Sequence, residues 1–543
     1  YYSLLENKVK EENFITPFIQ KKPSSSYYNI FKKFKYQNYL LLEPVLSIRN
    51  SSRGFEFYNN PSLASKPILW ITPGIKLHST IPLTFKGLNI WMYNWASYFK
   101  HSAYGFGSKK TFIDYETPLS RYNSDYSFEY YEPTKSPENG IDFGYGDAGI
   151  SILSNDIQFI FGKFNTNLGP SMNSNLSISN NAPSFDQLLF KINFNKKLYF
   201  TYLIGSLTSY LPKYINYTTI EEEEEVFNTQ NINDEILYEN QWTIHDEYPD
   251  EFVEIYNDYL SPFGVPMHER FVINHRFDFI PIENFRFGLY EQLIFGGRNI
   301  PFSYLIPLNP LIANQQSSND QDNLQWGIDW EYIFNSKRIY GGLLMDEWAL
   351  YDTFNSSERN WFAVQIGGSF LLKGLDKNAL LNIEYTKVDP GAYNHRFKIN
   401  EPKHHGYNIG YWSGNNSDDL IIKLVLFISE LATLKFEYQN TRFGKMDNIY
   451  ILEQQYNNPN GVSFLEGGYI EKESFKMSYS KLIYKNIYFD FDIQRQNSIS
   501  IINHLFTDPA DYLTDDDDIY ENDLTISDKF YDFRIKLRYN ISK

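Results

Sequence analysis

The side chains in this sequence that could do chemistry are runs of acids, a histidine trio and scattered arginine–acid combinations. Two acidic runs, Glu221–Glu225 and Asp515–Asp518, carry the densest charge. Clustered carboxylates are what hard cations take, so a Ca²⁺ or cation-bridging site is one reading. Neither run has the Asp-x-Asp-x-Asp-Gly order of a calcium loop, and blocks of like charge ordinarily form solvated loops; that is the expectation, with no metal assigned. His395, His404 and His405 invite a metal reading too, but no Cys exists anywhere to assist them. Loop histidines that are hydrogen-bonded or exposed are therefore expected. No Gly-x-Ser-x-Gly, His-Glu-x-x-His or Gly-rich phosphate loop occurs, so the chain is read as a non-enzyme without a cofactor.

The elements that must position such residues are strands. Aromatics make up 18 % of the 543 residues, with 45 Tyr and 44 Phe, yet the mean hydropathy is −0.45. The longest apolar runs, such as 420–428, reach about nine residues and include Lys423, whereas a membrane-spanning helix needs about 20. A β-barrel strand need be apolar only at every second residue, with aromatics at the two interfaces. The end of the chain shows the pattern: Phe533, Ile535, Leu537, Tyr539 and Ile541 alternate with Asp532, Arg534, Lys536, Arg538 and Asn540. The same period of two recurs in Trp326, Ile328, Trp330 and Tyr332 against Gly327, Asp329 and Glu331, a strand signal. About 18 such segments follow one another, from 40–48 and 68–77 to 474–482, 486–496 and 529–541.

The links between them alternate in length. Pro281-Ile282-Glu283-Asn284 joins two strands tightly, as do links near 195–197, 334–337, 373–378, 429–430 and 484–486; between these hairpins lie the polar stretches 208–268, 296–324, 389–419, 443–473 and 497–528. Sorting by parity is the mark of a single-chain transmembrane antiparallel barrel, with short periplasmic turns, long extracellular loops and both termini on the short-turn side. A soluble sandwich has no reason to sort its loops. We place the barrel in 37–543 and a partly helical periplasmic segment in 1–36, where Leu4, Leu5, Lys8, Glu11 and Glu12 read as a short helix and 23–26 as a linker. Tyr1 is not Met, and no charged or apolar leader precedes it; the expectation is a chain that starts after a removed signal peptide. A net charge of −17 argues against nucleic acid as a partner. Arg298, Asp346 and Glu347 fall at strand ends, where salt bridging across a narrow lumen is expected.

Several segments, in order over about 160–425, resemble the Wzi-like capsule-assembly outer-membrane proteins. They are Gly169-Pro170 with Ser177-Ile178-Ser179-Asn180-Asn181-Ala182-Pro183-Ser184-Phe185; His275-Arg276 with Gly288, Glu291 and Phe295-Gly296-Gly297-Arg298; and Leu305, Pro307-Leu308-Asn309-Pro310 and 319–323. Gly341–Glu347, Tyr385-Thr386, Tyr393-Asn394-His395 and 405–410 complete the set. The aromatic pair that often precedes Gly-Pro in that family is Asn167-Leu168 here. The resemblance implies an 18-stranded barrel in the outer membrane of a Gram-negative-type bacterium, in contact with outer-membrane lipid and lipopolysaccharide. It also implies a lectin-like, non-catalytic outer face that binds exported polysaccharide. Aromatic rings would stack on sugar faces there, beside amides and acids that bond hydroxyls. Tyr104, Tyr122, Tyr126, Tyr130, Tyr131, Trp242, Tyr407, Tyr411 and Trp412 are the candidates, although loop-to-loop packing is an equal use for such residues. The 180–183 stretch reads as a fixed turn folded into the lumen, since Asn satisfies loop backbone and Pro pre-sets it. Two further readings stay open: a porin or diffusion channel, given the strand count, and a barrel that anchors an envelope assembly of protein partners.

Overall fold

Period-two patterning becomes hydrogen-bonded ladders over nearly the whole chain. In the computed structural model these are β1 (Tyr39–Ser51), β2 (Ile68–Phe85), β3 (Leu88–Tyr104), β4 (Gly140–Leu153), β5 (Ile157–Phe164), β6 (Phe185–Asn193), β7 (Leu198–Thr208), β8 (Glu269–Ile282), β9 (Phe285–Gly296), β10 (Asn323–Phe334), β11 (Lys337–Glu347), β12 (Trp361–Leu372) and β13 (Ala379–Val388). A two-residue hairpin, β14 (Lys403–His404) and β15 (Tyr407–Asn408), intervenes before β16 (Ser417–Ser429), β17 (Ala432–Gly444), β18 (Gly468–Tyr484), β19 (Ile487–Ile502) and β20 (Leu524–Asn540). The structure describes residues 39–51, 68–85, 88–104, 140–208 (less 155 and 196), 269–317, 322–347, 360–372, 379–446 (less 396, 397, 405, 406 and 430), 451, 462–484, 487–502 and 524–540. The N-terminal segment 1–36 and both acidic runs lie outside them.

All strands but β14 and β15 belong to one 18-stranded sheet, each paired with its sequence neighbour, and β1 closes on β20 with Val45 opposite Asn540 and Ser51 opposite Arg534. Closure removes the free edges that an open sheet would present to lipid. Strands are joined alternately by two to six residues and by 13 to 60 residues. Both termini of the barrel fall on the short-turn side, since β1 leads into, and β20 follows, a long connection.

The two faces are chemically opposite. Leu42, Leu46, Ile48, Ile75, Leu289, Val364, Ile366, Phe533, Ile535 and Leu537 are exposed on the outer wall, while Asn274, Gln292, Gln325, Gln365, Glu384 and Thr386 are buried on the inner one. That inversion suits a lipid solvent outside.

Strand ends differ from the sequence expectation most at β2, which runs eight residues beyond 68–77, and at β3, β18, β19 and β20, which begin or end five or six residues beyond 88–99, 474–482, 486–496 and 529–541. β18 has 17 residues, about 58 Å at ~3.4 Å per residue, or about 45 Å of height at a tilt near 40°, against a hydrocarbon core of about 30 Å. Where strands leave the lipid their outer positions turn polar and alternation fades, while the ladder continues. Asp418 and Arg442 lie opposite each other there and form an outward ion pair at 2.9 Å, with the Tyr385 hydroxyl donating to Asp418 at 3.1 Å.

Candidate functional site

The lumen is occupied by the chain itself. Residues 165–184 leave β5, cross the interior and return as β6; Leu168 and Ile178 bridge one another within this plug. Gly169 opens it at φ 138°, and a Cβ there would overlap the Asn175 side-chain amide, so the position requires Gly. Asn175 then caps the turn by accepting the Ser171 N–H at 2.8 Å.

Inward side chains of the wall hold the plug along its length. Glu384 on β13 accepts from Ser171 Oγ at 2.7 Å, Met172 N–H at 3.2 Å, Tyr340 Oη at 2.6 Å and Gln365 Nε2 at 3.2 Å. Gln365 also donates to the Ser174 carbonyl at 2.8 Å. Ser177 Oγ donates to Gln292 at 3.0 Å and accepts from Asn274 at 2.9 Å. The Arg338 guanidinium bonds both the Pro170 carbonyl and Glu331. These partners are buried, where an amide or hydroxyl without a partner would cost several kcal/mol (about 1–3 each).

Apolar packing adds to these bonds. Leu168, Ile178 and Ala182 of the plug meet Trp95, Ile160, Phe185, Leu203, Val272 and Ile294 of the wall, with Ile409 from the 389–416 connection. A second cluster joins Leu176 of the plug to Tyr290, Leu344, Trp361, Val388, Tyr393 and Tyr411. The lumen is thus polar toward the short turns and a packed core toward the long connections. At the polar end three arginines (Arg276, Arg286, Arg338) face three acids (Asp278, Asp329, Glu331), with Arg276 bonding Asp329 at 2.7 Å and Asp278 at 2.8 Å. Opposed charges at these distances are what make a buried charge cluster tolerable.

The 389–416 connection folds inward as a second layer over the plug. The Ser179 N–H donates to the Ile409 carbonyl at 2.7 Å, and the Asn181 amide to the Asn408 carbonyl. The Tyr393 hydroxyl donates to the Leu176 carbonyl; burial holds it well above the usual phenol range, so it stays a donor. Asp419, at the start of β16, is the anchor of this layer. It accepts from Tyr411 Oη at 2.7 Å, Trp412 Nε1 at 3.0 Å, Thr441 Oγ1 at 2.8 Å and Gln439 Nε2 at 2.9 Å. A carboxylate with four such donors is a structural hub, not an acceptor open to a ligand.

Against this geometry the residues singled out in the sequence separate into groups. Tyr104 closes β3 at the long-connection end, and Tyr122, Tyr126, Tyr130, Tyr131 and Trp242 lie outside the described residues. Tyr411 is fully enclosed, which gives it a packing role, whereas Tyr407 and Trp412 are half-buried at the top of the inward layer. Asn180 is exposed at that surface, and Asn181, Ala182 and Pro183 turn back against the lumen core. Among the histidines, His404 is buried with its ring edge against Phe185 at 5.7 Å. His395 lies in the connection with its N–H on Asn394, and His405 is outside the described residues. No group of three His, Cys, Asp or Glu residues able to hold a metal occurs among the described residues.

Asp346 and Arg298 differ in the side of the wall they occupy. Asp346 faces inward, where it accepts from Gln325 at 3.0 Å and from the Tyr393 N–H. Arg298 does pair, with Asp322 at 2.6 Å, yet on the outer wall, where it also lies over the Phe295 ring at 5.3 Å. Glu347 ends β11 opposite Trp361. The plug anchors Glu384, Gln365, Tyr340 and Asp419 were missed. Alternation puts the first three on inward faces, but nothing local says which distant segment they hold.

Comparison with known proteins gives a family match over most of the chain. The family described as capsule assembly protein Wzi matches residues 120–499. No curated protein matches by sequence. Among solved structures, the Escherichia coli outer-membrane protein described as a carbohydrate-binding β-barrel involved in group 1 capsule assembly is 10% identical. The alignment covers 96% of this chain and 90% of that one, with a TM-score of 0.48. Acinetobacter baumannii OccAB4 is 9% identical over 92% of this chain and 97% of its own, with a TM-score of 0.44. Pseudomonas aeruginosa OpdQ is 7% identical over 92% and 98%, with a TM-score of 0.43.

Proposed function

This chain belongs to the capsule assembly protein Wzi family, and from that membership together with its filled interior we propose that it is an outer-membrane barrel that binds or organises surface polysaccharide, lectin-like and without catalysis. The observation that carries the reading is the plug. A segment bonded to Glu384, Gln365, Gln292 and Arg338 and packed into two apolar clusters turns a porin-sized cylinder into a rigid platform. A platform suits holding a polymer at one face, whereas a diffusion pore needs a continuous aqueous path.

The connection lengths support an orientation with short turns and both termini in the periplasm and the long connections outside. Polysaccharide contact is then assigned to the long-connection face, with Tyr407 and Trp412 at the top of the inward layer and Tyr104, Tyr126, Tyr130 and Trp242 in the strand end and connections on that side. Half-buried rings backed by protein are pre-organised for stacking on sugar, because little motion is lost on binding. Tyr411 contributes by fixing Asp419 and, through it, the Trp412 indole. By sequence, the acidic runs Glu221–Glu225 and Asp515–Asp518 belong to two of the long connections, and Ca²⁺ bridging to an anionic polymer is a reading open to a chelation experiment.

Deleting the gene in its own host and staining the cell surface tests the reading. Loss or release of surface polysaccharide into the medium, restored by the wild-type chain, is expected. Unchanged surface polysaccharide, together with stepwise currents from the purified barrel in planar bilayers, would replace it with the channel.

A further inference from the structure

The connection between β9 and β10 does not enter the lumen. After the Gly297 turn (φ 72°) it folds down over the outside of the barrel as a 3-10 turn (Phe302–Leu305) and a short helix α1 (Leu311–Ser317). The side is fixed by parity. Gln292 on β9 reaches the plug residue Ser177, so Glu291, Leu293 and Phe295 point outward, in line with the exposed Leu289. Tyr304 and Leu311 of the flap are fully buried against Phe200, Tyr202, Ile273, Leu293 and Phe295 of that outer wall.

The flap is rigidly tied. The Tyr304 hydroxyl and Arg298 both bond Asp322, just before β10 at the long-connection end. Tyr202 Oη donates to the Tyr304 carbonyl at 2.9 Å, and Gln315 Nε2 to the Asp322 carbonyl at 2.8 Å. Glu291, an acid on the lipid side of the wall, accepts the Leu311 N–H at 3.1 Å and meets His275 Nδ1 at 2.8 Å. The flap thereby roofs a polar pair that would otherwise face hydrocarbon.

Its opposite face is apolar and bare. Phe302 is 88 % exposed, Leu308 65 % and Ile306 55 %, with Leu305 and Ile312 beside them. No charged residue or histidine occurs from 299 to 317. So much aligned apolar surface on a tied element requires a cover. Its height identifies one. Leu293 and Phe295 lie eight and ten residues above the short turn at Phe285. That is about 27 and 34 Å along the strand, or about 21 and 26 Å of height at ~40° tilt. An outer-membrane barrel's apolar band is about 25 Å tall. The flap therefore continues the wall's exposed apolar stripe at the upper edge of that band.

We propose that residues 299–317 form an interfacial lipid-binding element, its Phe302–Ile306–Leu308 face inserted among the acyl chains of the leaflet on the long-connection side. It braces the barrel at a fixed depth beneath the face that carries the long connections. This inference stands apart from polysaccharide binding and fails or holds without it.

The absence of Cys makes the test direct. Single variants F302C and L308C, with L289C as the lipid-facing reference and N180C as the aqueous one, carry a nitroxide in the full-length chain reconstituted in phospholipid nanodiscs. Collision rates with oxygen and with a water-soluble nickel chelate are then compared. The expected oxygen-to-nickel ratio at 302 and 308 is several-fold above that at 180 and close to that at 289. A ratio at 302 and 308 equal to that at 180 would overturn the proposal. So would spin–spin broadening at 302 that disappears on dilution with unlabelled protein, since that would show a second copy as the cover. Both positions barely touch the protein, so folding is not at stake; the L289C and N180C spectra verify it in each preparation.

Discussion

Glu384→Ala is the sharpest perturbation of the plug. The carboxylate accepts two donors from the plug, Ser171 Oγ–H and Met172 N–H, and two from the wall, Tyr340 and Gln365. A hydrogen bond to a charged acceptor contributes about 1.5–3 kcal/mol, and a buried donor stranded without one costs about 1–3 kcal/mol. Gln365 keeps the Ser174 carbonyl and Thr386 as partners, so its loss is partial. Because neighbouring losses do not add, the expected destabilisation of the plug is about 3–4 kcal/mol. At 1.4 kcal/mol per factor of ten, amides 171–178 should exchange with deuterium roughly 100- to 1,000-fold faster, read by mass spectrometry on peptides of the folded barrel. Peptides from the β18–β19 ladder, which supplies none of the hydrogen bonds to the plug named here, should be unchanged. Glu384→Gln, which keeps the volume and one acceptor oxygen, should give a smaller acceleration. Unchanged exchange over 171–178 in Glu384→Ala would refute the view that this carboxylate holds the plug. An equal rise in every strand would refute the view that the plug opens independently of the barrel.

Three other outcomes follow from the same geometry. Gly169→Ala places a Cβ against Asn175 at a φ that L residues avoid, so it should cost about 1–3 kcal/mol and speed exchange in the same peptides. Asp329→Ala leaves Arg276 and Arg286 buried beside one acid fewer; a loss of about 3–5 kcal/mol should appear as a lower urea midpoint for unfolding from liposomes. Removing residues 171–181 should convert a barrel that passes no stepwise current into one that does, since the ladder closes through β1 and β20 without any plug contact.

The fold was legible because a barrel writes itself locally. Strands such as β10 and β20 announce their outer face by alternation, and loop parity follows from counting between strands. What alternation cannot carry is partnership across the lumen. Glu384 reads as one more inward acid, and only the fold brings it to Ser171, more than two hundred residues away. Arg298 shows the converse limit, since a strand-end arginine looks the same whether its partner lies in the lumen or, as here, on the outer wall with Asp322. The extra residues of β18 and β19 were obscured for a third reason. Their outer positions above the lipid, Glu471, Glu473 and Asn497, are polar, so the period of two vanishes although the ladder runs on. Tyr411 was grouped with ring candidates by type alone, and burial decides its role.

This family member is proposed to hold surface polysaccharide on a plugged barrel. The most direct test is equilibrium binding of the host's purified surface polysaccharide to the full-length protein in nanodiscs, with the polymer sized before and after. Saturable binding, weakened by Trp412→Ala, and an unchanged polymer length are expected. No binding at any concentration reached, or a shortened polymer, would contradict it.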